Sequence, residues 1–120
     1  MIIHGREVHF LLTTGAMSEI AKLCPGKDLK KISEIMDNTA DMFETTAKIA
    51  ASMSKWYELE QAYTHADYRG RALTADECLT LRSAEFTELV KEVREAFTVG
   101  QSTVIELKDK KKEETDADTL

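Results

Sequence analysis

Apolar residues in the first twelve positions form two short groups on either side of the polar break His4-Gly5-Arg6. They are Ile2, Ile3, Val8, Phe10 and Leu12. After the break they alternate with other residues, a period of two that is typical of a strand. Gly5 can adopt the positive φ that a tight hairpin turn requires. The pattern predicts a β-hairpin over residues 1–12, which must pack on helices or pair with another chain because an isolated hairpin is only marginally stable.

Spacings of three and four residues replace this alternation after residue 13, and they are typical of α-helices. Thr13 and Thr14 provide hydroxyl groups for an N-terminal cap, and Cys24-Pro25-Gly26 is expected to end this first helix. A second, short helix is predicted to begin near Asp28, because a carboxylate is favourable at a helix N-terminus.

The longest predicted helix lies in the middle of the chain. Asn38 is suited to cap its start, and no glycine or proline follows before Gly70, which is expected to end the segment. Apolar residues keep the helical spacing to about Tyr63, so the expected helix, 39–63, would be roughly 38 Å long at 1.5 Å per residue. We expect it to form the centre of the fold.

Two more helices are predicted towards the carboxyl end. Thr74 and Glu77 have the spacing of a capping box, in which each side chain bonds the other residue's backbone amide. A helix from Ser83 then carries a regular apolar stripe, and Gly100 is expected to end it. Residues 106–120 have too little apolar area to offset chain entropy, so a flexible charged tail is expected there.

Composition favours a single small domain. The chain has 120 residues, of which 42% are hydrophobic and 32% charged, and this balance is ordinary for a globular protein. We predict a mainly α fold with a short N-terminal β-hairpin and a disordered C-terminal tail, divided into a helical domain, 1–105, and the tail, 106–120. The net charge of -6 argues against nucleic acid as the main partner, because that affinity needs clustered Lys and Arg.

The N-terminal sequence lacks the basic flank and long apolar stretch of a secretory signal. No apolar run approaches the ~20 residues that span a bilayer. We therefore expect an intracellular protein that does not enter a membrane.

Residues that often carry chemistry lack the spacing of catalytic or metal-binding motifs. Cys24 and Cys78 are far apart and belong to no CxxC pair, and the three histidines show no signature spacing. No glycine-rich phosphate loop opens a helix. An enzyme would need a site assembled from scattered residues such as Cys78, His65 and Glu77. We predict no catalytic residue, no metal site and no cofactor.

Methionine and aromatic side chains on the long helix, with the apolar stripe of the last helix, allow two interpretations. They can fill the core between helices, as most such residues do. They can also line an adaptable surface for an apolar partner helix or a second copy of the chain, because thioethers repack easily. The candidate partner-binding residues are Met42, Phe43, Met53, Trp56, Tyr57, Phe86, Leu89, Val93 and Phe97.

The order of these features resembles that of tail assembly chaperones from long-tailed, siphovirus-type bacteriophages and prophages. The similarity lies in the opening MIIHGREVHFLLTTGAMSEIAKL, the long middle helix and the closing ALTADECLTLRSAEFTELVKEVREAFTVG, and it covers most of residues 1–105. The resemblance implies a noncatalytic protein in the cytoplasm of the bacterial host. Such a protein binds the tape measure protein, keeps this long helical chain soluble and supports tail-tube assembly. Many members also self-associate.

Some members of that family occur in a second, longer form, made by ribosomal frameshifting, which recruits the tail-tube protein. Lys110-Lys111-Lys112 fits such a site if its codons form an adenine-rich slippery run. The competing interpretation is a solubilising tail without recoding, and the nucleotide sequence would discriminate between the two.

A small helical adaptor or regulator of mobile-element origin is the alternative function. A DNA-binding regulator needs a basic recognition helix. The predicted helix near Asp28 offers only Lys30 and Lys31 within an acidic chain. A salt-sensitive complex with DNA would favour this alternative.

Overall fold

Helices make up most of the computed structural model, which describes the backbone of residues 1–37 and 41–118 and the side chains of residues 1–37 and 41–100. The elements are β1 (Ile2–Ile3), β2 (Arg6–Glu7), α1 (Thr14–Leu23), α2 (Ile32–Asp37), α3 (Met42–Thr64), α4 (Ala75–Leu79) and α5 (Ser83–Asp118). Two 3-10 turns, Pro25–Lys27 and Leu29–Lys31, connect α1 to α2. The predicted mainly α fold with an N-terminal hairpin is confirmed. The tail predicted at 106–120 lies outside the residues whose side chains are described.

The hairpin turn has the backbone conformation that Gly5 predicted. His4 and Gly5 have φ angles of 50° and 75°, and β1 and β2 pair antiparallel on either side of them. Two consecutive residues with positive φ match the twist of paired strands in a tight hairpin.

The second strand is shorter than expected. It ends at Glu7, so the prediction that the strand continues to Leu12 is wrong. The Leu11 amide donates instead to the Met53 carbonyl of α3, over 3.3 Å. Residues 8–13, the crossing segment, therefore lie over α3 and bury Val8 and Leu12.

Side-chain caps fix several helix starts where the sequence predicts them. The Thr13 hydroxyl accepts from the Ala16 amide at 3.1 Å, and α1 begins directly after it. Asp28 caps the 3-10 turn before α2. Thr74 and Glu77 form both bonds of the capping box at the start of α4. These local signals are confirmed.

Helix α3 is the centre of the fold and contacts α1, α2, α4 and α5. Its predicted cap, Asn38, lies outside the described residues, and the helix is described from Met42. It ends at Thr64, one residue after the predicted end. The buried Ser54 hydroxyl accepts from the Leu73 amide at 2.9 Å, which fixes the loop before α4 against α3.

Helix α5 begins at Ser83 as predicted, but it continues through Gly100. The prediction that Gly100 ends the helix is wrong. A Cβ at this position would lie 2.5 Å from the Leu12 Cβ, so the missing side chain lets α5 approach the crossing segment. Glycine inside a helix costs only about 1 kcal/mol relative to alanine, and close packing at this position offsets that cost.

Candidate functional site

An apolar groove, the α5 groove, lies between the crossing segment and α5. Its volume is about 690 Å³, within the range of about 300–1,000 Å³ that is usual for ligand pockets. Its apolar lining comes from Met1, Val8, Phe10, Leu11, Leu12, Met17, Tyr57, Ala96 and Val99. The groove is therefore suited to apolar side chains.

Aromatic and thioether side chains from α1 and α3 complete this lining. Tyr57 on α3 is half-buried, and the centre of its ring lies 4.7 Å from the centre of the His9 ring in the crossing segment. Met17 on α1 is also half-buried. A thioether adapts to different apolar neighbours because its side chain is unbranched and polarizable.

Two carboxylates mark one edge of the α5 groove. Glu92 and Glu95 lie three residues apart on α5 and both line the groove. Within the described part of the chain, neither takes part in an ion pair. The groove therefore combines an apolar interior with a negatively charged edge.

The hairpin is fastened to α4 and to the loop that precedes it. Arg6 donates to the Glu77 carboxylate at 2.8 Å and to the Arg71 carbonyl at 2.5 Å, and Arg71 lies 3.6 Å from the same carboxylate. Desolvation raises the pKa of Glu77, but the hydrogen bond and charge of Arg6, the capping bond at Thr74 and the charge of Arg71 outweigh it. The net pKa of Glu77 is lowered, so these contacts, the Arg6 clamp, favour its ionised form.

A second polar cluster joins α1 to α3. The Glu19 carboxylate accepts from the Ser52 hydroxyl at 2.8 Å, from the Trp56 ring N–H at 3.1 Å and from the Lys55 ammonium. Burial raises the pKa of Glu19, and the three hydrogen bonds with the charge of Lys55 lower it further than burial raises it. This cluster fixes the orientation of the Trp56 ring.

Gly15 allows the indole of Trp56 to lie against α1. A Cβ at this position would be 2.5 Å from two indole carbons. The glycine, the indole and the Glu19 carboxylate therefore form one packed unit.

The cysteines are buried and unpaired. Desolvation, with a smaller effect from the Glu77 charge, raises the pKa of Cys78 to about 12. Burial and the charge of Asp28 also raise the pKa of Cys24. Both thiols are therefore protonated at neutral pH, and a thiol is a much weaker nucleophile than a thiolate.

Across the described residues, no three His, Cys, Asp or Glu side chains come together in a way that would hold a metal ion. The same part of the chain has no helix with the length and apolar character of a membrane span.

The structure places most candidate partner-binding residues in the interior. Met53, Phe86, Leu89, Val93 and Phe97 are buried, so they pack the core in this fold.

The other four candidates reach the surface to different extents. Met42, Trp56 and Tyr57 are half-buried, and Phe43 is 53% exposed, with its ring 5.1 Å from that of Phe86. Tyr57 is the member of the predicted set that lines the α5 groove. Partner binding by the nine residues stays a prediction.

The groove itself is not among the sequence predictions. Its two sides come from residues 8–14 and 92–100, which are far apart in the chain. The signals that sequence offers are the unusually apolar crossing segment, with Phe10, Leu11 and Leu12 in succession, and Glu92 and Glu95 along one edge of the apolar stripe.

Comparison of the chain with protein-family models, with curated proteins and with solved structures gave no match.

Proposed function

We propose that this protein is a tail assembly chaperone that binds the tape measure protein of a long-tailed phage or prophage and keeps it soluble. The proposal starts from the resemblance in the order of hairpin, long middle helix and closing helices. In that role the chain performs no bond-making. It covers apolar surface on a helical guest until the tail tube assembles around that guest.

The α5 groove is the observation that carries the proposal. It is an open apolar cavity of about 690 Å³ at the surface of a protein with a net charge of -6. A chaperone of this kind needs an apolar surface for its guest and a charged exterior for solubility. The groove and the acidic surface supply both requirements.

Further partners follow from the same proposal. Under this proposal the chain also self-associates, and a longer, frameshifted form of it recruits the tail-tube protein. The cytoplasm of the bacterial host is the compartment in which these partners would meet.

Co-expression tests the proposed function. We expect the tape measure protein encoded beside this chain to accumulate in the soluble fraction, and to co-purify with the chain, when the two are produced together. The tape measure protein produced alone should be largely insoluble. Equal soluble yields with and without the chain would contradict the proposal.

A further inference from the structure

We infer that the α5 groove binds a single amphipathic helix, whose apolar face enters the groove and whose Lys or Arg side chains pair with Glu92 and Glu95. The inference rests on the proposed function, because it names the surface and the chemistry by which the guest would be held. It goes beyond that function in assigning the site, the form of the bound segment and its charge.

The form of the bound segment follows from the lining of the groove. One side is α5, whose amides and carbonyls bond within the helix. On the other side most lining side chains are apolar, among them Val8, Phe10 and Leu12. A bound helix satisfies its own backbone groups and presents only side chains, so it needs apolar contacts from this surface and no backbone partners.

The charge of the bound segment follows from the groove edge. Glu92 and Glu95 are three residues apart, so their positions are separated by about 4.5 Å along the α5 axis. Basic residues three or four positions apart on a neighbouring helix have a matching spacing. Because neither carboxylate has an ion-pair partner within the described residues, both are available to a positively charged guest.

Peptide binding to the full-length chain tests the inference. The probe is a synthetic helical peptide of about 18 residues with a leucine face flanked by lysines at helical spacing, labelled for fluorescence anisotropy. We expect Glu92→Lys with Glu95→Lys to weaken binding about tenfold, and to strengthen binding of the same peptide carrying glutamates in place of lysines. The double variant Glu92→Gln with Glu95→Gln removes both charges with almost no change in side-chain volume. It should weaken binding of the lysine peptide by a smaller factor.

Two controls distinguish binding at the groove from a general effect of net charge. Glu34→Lys with Glu60→Lys makes the same change in net charge at exposed positions that do not line the groove, and it should leave the affinity unchanged. A lysine peptide interrupted by a central proline should not bind, because proline breaks the helix.

Three results would overturn the inference. The first is equal weakening by the groove and control variants. The second is equal binding of the lysine and glutamate peptides by the unaltered chain. The third is a dimer in sedimentation that the groove variants convert to a monomer while peptide affinity stays the same, since a second copy would then occupy the groove.

The outcomes also separate this inference from the proposed function. If the groove variants still solubilise the tape measure protein as well as the unaltered chain does, the function stands and the groove assignment falls. If the lysine peptide binds as described but co-expression gives no gain in soluble tape measure protein, the groove assignment stands and the proposed function falls.

Discussion

At the scale of single residues, the Glu19 carboxylate shows how one side chain connects two helices. It accepts hydrogen bonds from Ser52, Lys55 and Trp56, all on α3, while it belongs to α1. Each of these bonds favours the ionised form, so the cluster is tied to the protonation state of Glu19. Stability in acid should therefore depend on this residue.

We predict that Glu19→Gln makes stability less sensitive to acid. The pKa of Glu19 is lowered from 4.5 in the folded chain, so the unfolded state takes up a proton at higher pH than the folded state does. The contribution of Glu19 to the free energy of unfolding is complete above the pKa that it has in the unfolded chain. This contribution is lost as the pH falls through the pKa that it has in the folded chain. In urea unfolding experiments between about pH 6 and pH 3, the free energy of unfolding should fall less steeply for the variant than for the unaltered chain.

Asp67→Asn is the matched control for this experiment, because Asp67 is an exposed carboxylate outside the Glu19 cluster. Its pH profile should follow that of the unaltered chain. The account of the cluster would be contradicted if the free energy of unfolding fell equally steeply with falling pH for Glu19→Gln and for the unaltered chain.

At the scale of elements, the hairpin is held to α4 by a small number of polar contacts. Arg6 reaches both the Glu77 carboxylate and the Arg71 carbonyl, and His4 lies 2.6 Å from the Thr80 hydroxyl. The hairpin precedes the crossing segment directly, so these contacts also fix the start of one side of the α5 groove.

We predict that Arg6→Ala lowers the free energy of unfolding by about 1 kcal/mol, since a partly exposed ion pair and a charge-assisted hydrogen bond are lost together. Amide hydrogen exchange should speed up in the hairpin more than in α3. Arg69→Ala is the control, because the Arg69 guanidinium bonds the carbonyl of the neighbouring Tyr68 at 3.2 Å. A loss of stability as large for Arg69→Ala as for Arg6→Ala would count against the clamp.

The elements differ in how far sequence predicts them, and the difference has a physical cause. The caps at Thr13 and Thr74 act within three residues, so sequence spacing alone identifies them. The course of the crossing segment depends on the bond from Leu11 to Met53, and the continuation of α5 depends on the fit of Gly100 against Leu12. Such contacts join distant parts of the chain and leave no local pattern.

The candidate site also depends on contacts between distant parts of the chain. Periodic apolar residues predict that α3 and α5 bury a face, but a core face and a binding face require the same spacing. The structure assigns Met53, Leu89 and Val93 to the core. The α5 groove arises where two segments about 80 residues apart in sequence meet, so the sequence alone could not identify its lining.

At the scale of the whole molecule, the described residues combine a hydrophobic core and the open α5 groove with an exterior rich in charged side chains. The net charge of -6 favours hydration of the exterior, while the groove offers an apolar surface to a guest. Bound to a basic amphipathic segment, the acidic domain would confer its own solubility on that segment. This is the central claim of the account.

The most direct measurement of that claim is the solubility of the tape measure protein after dilution from denaturant. An equimolar amount of the purified full-length chain should keep most of it in the supernatant after centrifugation, and the variant with Glu92→Lys and Glu95→Lys should keep less. The claim would be contradicted if the chain retained no more tape measure protein in solution than an unrelated acidic protein of similar size and charge does.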